Sequence, residues 1–191
     1  MVRSLTAVLA LTIAGPALAS AQAPSCWVNQ AQMALEGRAS PLDSATVVLG
    51  GQTMKVCYGS PAAHGRTVMG GLVPYDQPWR SGANEATSIH LPFAAEVAGI
   101  RLEPGSYSLY TIPGAEHWTV VVNRQVERWG TPISGAVRQA DVGTGMAMPE
   151  ALGQSVESLR YRFEPAGNGQ ADLLLEWERT RIRIPVRRAG R

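Results

Sequence analysis

Lysine is nearly absent from this chain: of seventeen basic residues, only Lys55 is Lys and the rest are Arg. Fifteen acidic residues leave a formal net charge of +2, so neither sign is in excess. Nucleic-acid binding leaves a basic patch or stripe in the sequence, and none is found here, so no nucleic-acid partner is expected. The one basic cluster is Arg179, Arg181, Arg183, Arg187 and Arg188. Its first part alternates with Thr and Ile, the pattern of one solvated strand face; a polyanion-binding tail is the alternative.

Histidine is scarce too. His64, His90 and His117 lie far apart and form no metal-ligand pair. No metal site and no cofactor are expected. Gly105-Ser-Tyr-Ser does not make a nucleophile elbow. Gly70-Gly71 lacks the Lys and the helix that a phosphate-cradling loop needs. No residue is assigned a catalytic role. Past residue 21 there is no apolar run long enough to cross a bilayer as a helix, no internal repeat and no low-complexity linker. A length of 191 residues then fits one domain.

The N-terminus reads as a signal peptide over residues 1–21. Arg3 supplies a charge, residues 5–14 are apolar, and Ala17-Leu18-Ala19 and Ala19-Ser20-Ala21 offer small residues at cleavage spacing. The protein is therefore expected to be exported, periplasmic or secreted. Export governs how Cys26 and Cys57 read. In an oxidising compartment a lone pair of cysteines favours a bridge; free thiols and a lipid on Cys26 are the alternatives.

Residues 22–44 read as an N-terminal arm or short helix. Beyond them, residues 45–188 alternate with period two between turn signals. Residues 45–49 and 52–58 flank Gly50-Gly51 as a hairpin. Strands are expected at 67–73, 87–91, 97–102, 106–112 and 117–123. Further strands are expected at 142–148, 158–164, 171–179 and 181–186, with 149–154 as a connection. Short strands between turn signals, without a long helix, indicate an all-β, antiparallel, single-domain β-sandwich, jelly-roll-like, with little helix.

Residues 65–91 break this regularity, with four glycines, two prolines, Trp79-Arg80 and Asn84-Glu85 in one stretch. Arg offers a planar fork for carboxylate or phosphate. Trp offers a flat face for a sugar or ring, here with Trp118 or Trp129 as a second. Asn84 and Glu85 would fix orientation. The candidate ligand-binding set is Trp79, Arg80, Asn84, Glu85, Thr87 and Arg66, and the expected partner is an unknown small molecule or glycan. Two other readings stand beside it. Arg80 could pair with Glu85 and the segment could only support the fold, in a structural or envelope-interaction protein. Or Glu85, with Asp76 or His90, could serve a hydrolase-like enzyme.

The order Tyr58-Gly-Ser-Pro61, Gly65-Arg66, Leu72-Val-Pro74, Trp79-Arg-Ser-Gly-Ala-Asn-Glu-Ala-Thr87, Pro104-Gly-Ser-Tyr-Ser-Leu-Tyr-Thr-Ile-Pro113, Trp118, Asn123, Trp129-Gly130 and Leu175-Glu-Trp177 resembles the bacterial exported family termed domain of unknown function 2911. The resemblance runs from about residue 47 to 185 and implies no activity. Ser60 departs from it, since an Arg before the Pro is common there.

Overall fold

In the computed structural model, which describes residues 23–31 and 36–190, strand formation follows the two-residue alternation of the sequence. Strands β1 (Leu42–Leu49) and β2 (Gln52–Gly59) pair in register across Gly50 and Gly51. Both glycines have positive φ, 58° and 78°, which a two-residue hairpin turn needs and residues with a Cβ resist. Met54, Val56 and Tyr58 point inward and are buried.

The remaining strands are β3 (Ala83–Leu91), β4 (Ala95–Val97), β5 (Ile100–Leu102), β6 (Gly105–Ile112), β7 (Trp118–Asn123), β8 (Asp141–Ala147), β9 (Pro149–Gly167) and β10 (Gln170–Arg188). They make two antiparallel sheets. One has six strands in the order β1-β2-β3-β6-β7-β8; the other has four, in the order β5-β4-β10-β9. The all-β sandwich expected from the sequence is what forms. One helical turn, α1 (Gly135–Arg138), lies in the β7–β8 connection and is capped by Ser134.

The core lies between the sheets. Ile89, Leu109, Trp118, Val120 and Val122 come from one side, and Leu159, Leu173, Leu175, Ile182, Ile184 and Val186 from the other. Each faces inward because strand neighbours alternate faces. At one edge β8 closes directly onto the four-stranded sheet: Gly143 lies where a Cβ would come within 3.0 Å of Ile100, and at Gly145 a Cβ would collide with the Ala98 carbonyl.

Four local expectations are corrected. The strand expected at 97–102 is two strands, β4 and β5, which pair antiparallel across Ala98 and Gly99, both at positive φ. Residues 67–73 form turns and a single Met69–Val73 bridge rather than a strand, because Gly70-Gly71 folds the chain back on itself through Gly70 N–H to Val73 O. Residues 149–154, expected as a connection, begin β9. The two strands expected at 171–179 and 181–186 are one strand, β10, which absorbs Glu178 at a φ of 52° through register shifts on both sides of it. The pairing with β9 keeps the chain extended through this irregularity.

The outer face of the six-stranded sheet is also covered. Ala23 to Asn29 runs across β2 and β3 without helix or strand, tied down by Lys55 Nζ donating to Pro24 O at 3.3 Å. The β7–β8 connection covers β6 and β7, where Asn123 donates to Val137 O at 2.7 Å. The expected leader, residues 1–21, lies outside the described residues.

Outside the four-stranded sheet the tail arginines Arg181, Arg183 and Arg187 are matched by acids. Glu176, fully buried, accepts from Arg160, Arg162 and Arg181, and Arg183 donates to Glu164 and Asp172 at 2.7 Å each. This alternating face is neutralised in place, as period-two spacing of Arg against Glu on adjacent strands allows.

Candidate functional site

Residues 60–82 connect β2 to β3 by a long excursion around one end of the sandwich. Trp79 fixes its far end. Its N–H donates to Thr111 O at 2.7 Å and Thr111 N–H returns to Trp79 O at 2.9 Å. That bridge places the indole between the two sheets, edge-on to Trp118 at 6.0 Å and stacked on Trp177 at 6.0 Å and 18°. Trp177, on β10, is thus the second aromatic of the site, where the sequence suggested Trp118 or Trp129. Trp118 is buried in the core, and Trp129 is paired by its backbone to Glu85.

Ser81 is the pin of the excursion. It is fully buried with φ 56°. Its carbonyl accepts from Tyr161 Oη at 2.9 Å and from Thr87 Oγ1 at 3.1 Å, and its hydroxyl lies 2.9 Å from Thr111 Oγ1. A non-glycine residue in the left-handed region persists when its surroundings over-determine it, and Ser81 has three such ties from three strands. Nothing in the sequence marks Ser81 out from the surface serines.

The Trp79–Thr87 block divides in two. Thr87 is buried on the Ser81 carbonyl, and Asn84 takes φ 62° while its amide donates to Ser40 O at 2.9 Å. Glu85 is 4% exposed. Its carboxylate receives both ends of the Arg38 guanidinium, at 2.9 and 3.0 Å, and the Asn29 backbone N–H at 3.0 Å. Burial alone would raise the Glu85 pKa, but the Arg38 fork and the backbone N–H groups outweigh it and hold the carboxyl below its ordinary range. Glu85 therefore pairs with Arg38, not with Arg80 as the sequence suggested. Arg38 lies forty-seven positions away in the arm, with no local pattern to announce it.

Trp79, Arg80 and Arg66 are brought together. They line an open cleft of about 330 Å³ with His64, Leu72, Ser40, Gly82 and Trp177. Arg80 donates through Nε to Gly82 O at 3.1 Å and through Nη1 to Thr131 Oγ1 at 3.1 Å. Arg66 donates through Nε to Ala63 O at 2.8 Å and through Nη2 to Ala62 O at 2.9 Å. Burial lowers the Arg80 pKa from its ordinary value. Asn84, Glu85 and Thr87 do not line this cleft.

A second polar group lies on the outer face of the six-stranded sheet. Cys26 and Cys57 are bridged, with Cα atoms 5.7 Å apart, so the arm is tied covalently to β2. Against the bridge lies His90, 5% exposed. One ring nitrogen is 2.7 Å from Ser106 Oγ; the other is 3.2 Å from Ser88 Oγ and 3.6 Å from Cys57 Sγ. Burial, then the charge of Lys55, pushes the His90 imidazole below its ordinary pKa. Among the described residues no group of three or more His, Cys, Asp or Glu is placed to hold a metal ion, and no helix is long and apolar enough to cross a membrane.

A family model described as "Protein of unknown function (DUF2911)" matches residues 40–186. No curated protein and no solved structure matches the chain.

Proposed function

The chain belongs to the DUF2911 family, described as of unknown function, and from that premise we propose that it is an exported small-ligand-binding module whose site is the cleft of Trp79, Arg80 and Arg66. The observation that carries this reading is the pairing of two guanidiniums with an aromatic wall in one open cleft of about 330 Å³. Ligand pockets run from roughly 300 to 1,000 Å³ and are lined by apolar side chains with a few placed polar groups. The site rests on an extended loop held by a rigid sandwich, where binding residues concentrate. Export fits the leader in the sequence and the Cys26–Cys57 bridge, since disulfides persist in oxidising compartments.

The structural reading keeps half of the block. Asn84, Glu85 and Thr87 are anchors of the fold, each with a polar side-chain atom bonded to the chain. The hydrolase-like reading needs a carboxylate that can reach substrate. Glu85 has both oxygens engaged and its charge locked by Arg38, so it offers no proton-transfer group to the cleft.

A thermal-shift screen of sugars, sugar acids, amino acids and small aromatic acids tests the proposal, because a native-state binder raises the midpoint by mass action. A hit should also change tryptophan fluorescence, since Trp79 borders the cleft. If every compound leaves both midpoint and fluorescence unchanged at millimolar concentration, the binding reading is wrong and the support role alone remains.

A further inference from the structure

Among the described residues, the cleft is lined by Arg66, Arg80 and His64 and by no carboxylate. Many of the other arginines are matched by acids: Arg38 with Glu85, Arg160, Arg162 and Arg181 with Glu176, Arg183 with Glu164 and Asp172, and Arg187 with Glu96. Arg128 donates to the Trp129 and Gly130 carbonyls instead, but it does not line the cleft. The larger hollow of about 600 Å³ beside β9 has Arg160 and Arg181 in its wall, but both are already bonded to Glu176.

Arg66 and Arg80 are held differently. Each has two of its guanidinium nitrogens on the chain's own oxygens: Ala62 and Ala63 carbonyls for Arg66, the Gly82 carbonyl and the Thr131 hydroxyl for Arg80. A guanidinium has five N–H donors in a fixed fork, so each keeps donors in a plane already set by the first contacts. Neutral oxygens orient these cations without cancelling their charge. Arg80 is half-buried, and its charge is thereby partly stripped of water with no carboxylate among the described residues that line the cleft. A desolvated charge is costly until paired.

Resting on the binding reading, we infer that the cleft takes a small oxyanion carried on a single ring, its carboxylate or phosphate held by Arg66 and Arg80 and its ring against Trp79 and Leu72. A guanidinium fork matches both groups in geometry. Leu72 is 40% exposed, and with Trp79 it gives the apolar wall such a ring needs. A volume of about 330 Å³ is at the small end for ligand pockets and suits one ring rather than a chain of sugars. A neutral sugar of the same size leaves Arg80 unmatched.

The probes are glucuronate, glucose 6-phosphate and, as the neutral comparison, glucose, titrated calorimetrically into the disulfide-intact protein at low and high salt. The expected result is that at least one anion binds tenfold or more tighter than glucose, and less tightly at high salt. Binding of glucuronate alone assigns a carboxylate; binding of glucose 6-phosphate alone assigns a phosphate. Arg66→Ala, whose side chain is exposed, should keep the native melting temperature and weaken the anion at least tenfold. Arg80→Lys, which keeps the charge and loses the fork, should weaken it as well. If glucose binds as tightly as the anions, the oxyanion inference falls and the binding reading survives. If no probe binds, the inference falls, and the wider screen decides the binding reading. Anion affinity unchanged in a natively melting Arg66→Ala protein also overturns it.

Discussion

Replacing Glu85 by Ala removes the carboxylate that pairs with the Arg38 guanidinium, whose side chain is 1% exposed, and the acceptor of the Asn29 N–H. Breaking a buried pair by deleting one member costs about 3–5 kcal/mol, because the remaining charge loses that carboxylate while staying out of water. For a chain of this length, 191 residues, each kcal/mol moves the midpoint by about 2–4 °C, so the variant should melt roughly 6–20 °C lower. The double variant Arg38→Met with Glu85→Leu should recover most of that loss, since apolar replacement of a buried pair is often neutral. The pair also has a pH signature. The folded Glu85 pKa lies below its unfolded value, so its stabilisation is complete above the unfolded pKa of about 4.3 and fades as pH falls through the folded value. The gap in melting temperature between wild type and Glu85→Gln should therefore be largest at pH 7 and shrink in acid. Differential scanning calorimetry from pH 7 downward measures both effects. An Ala variant melting within about 2 °C of wild type, or a Gln gap that does not change with pH, would refute the reasoning.

Two further outcomes are expected. Cys26→Ser opens a bridge with a sequence separation of 31 and should cost about 3–4 kcal/mol on the chain-entropy model, seen as a lower denaturant midpoint that reductant no longer changes; a variant as stable as the oxidised protein would show the arm adds nothing. Gly130→Ala would set a Cβ onto Cδ of Arg80 and within 2.9 Å of Asn84 O and 3.0 Å of Glu85 O, and overpacking of this kind costs about 1–3 kcal/mol. Since it also displaces Arg80, anion affinity in the cleft should fall with it, and an unchanged melting temperature and affinity together would show that Arg80 is not held by this contact.

Much of the architecture was written locally. Met54, Val56 and Tyr58, or Leu173, Leu175 and Trp177, could be assigned to one face from their spacing alone, because a strand repeats every two residues whatever it packs on. Gly50-Gly51 likewise named its own turn. Where a segment's backbone bonds went to distant partners, spacing was silent. The 67–73 stretch looked like a strand until Gly70 and Val73 bonded each other. Residues 149–154 looked like a connection because their pairing is supplied by β10, not by their own pattern.

What the amino-acid order determined by itself was the sandwich, the one irregular excursion in it, and the residue types available there. Which of those residues line the cleft was decided only in three dimensions. Trp79 and Arg80 turn to the cleft because the Thr111 bridge and the buried Ser81 carbonyl fix the chain between them. Glu85 turns away because Arg38, far off in the arm, reaches it first. A charge chooses its partner by distance in space, and chain separation does not report that distance.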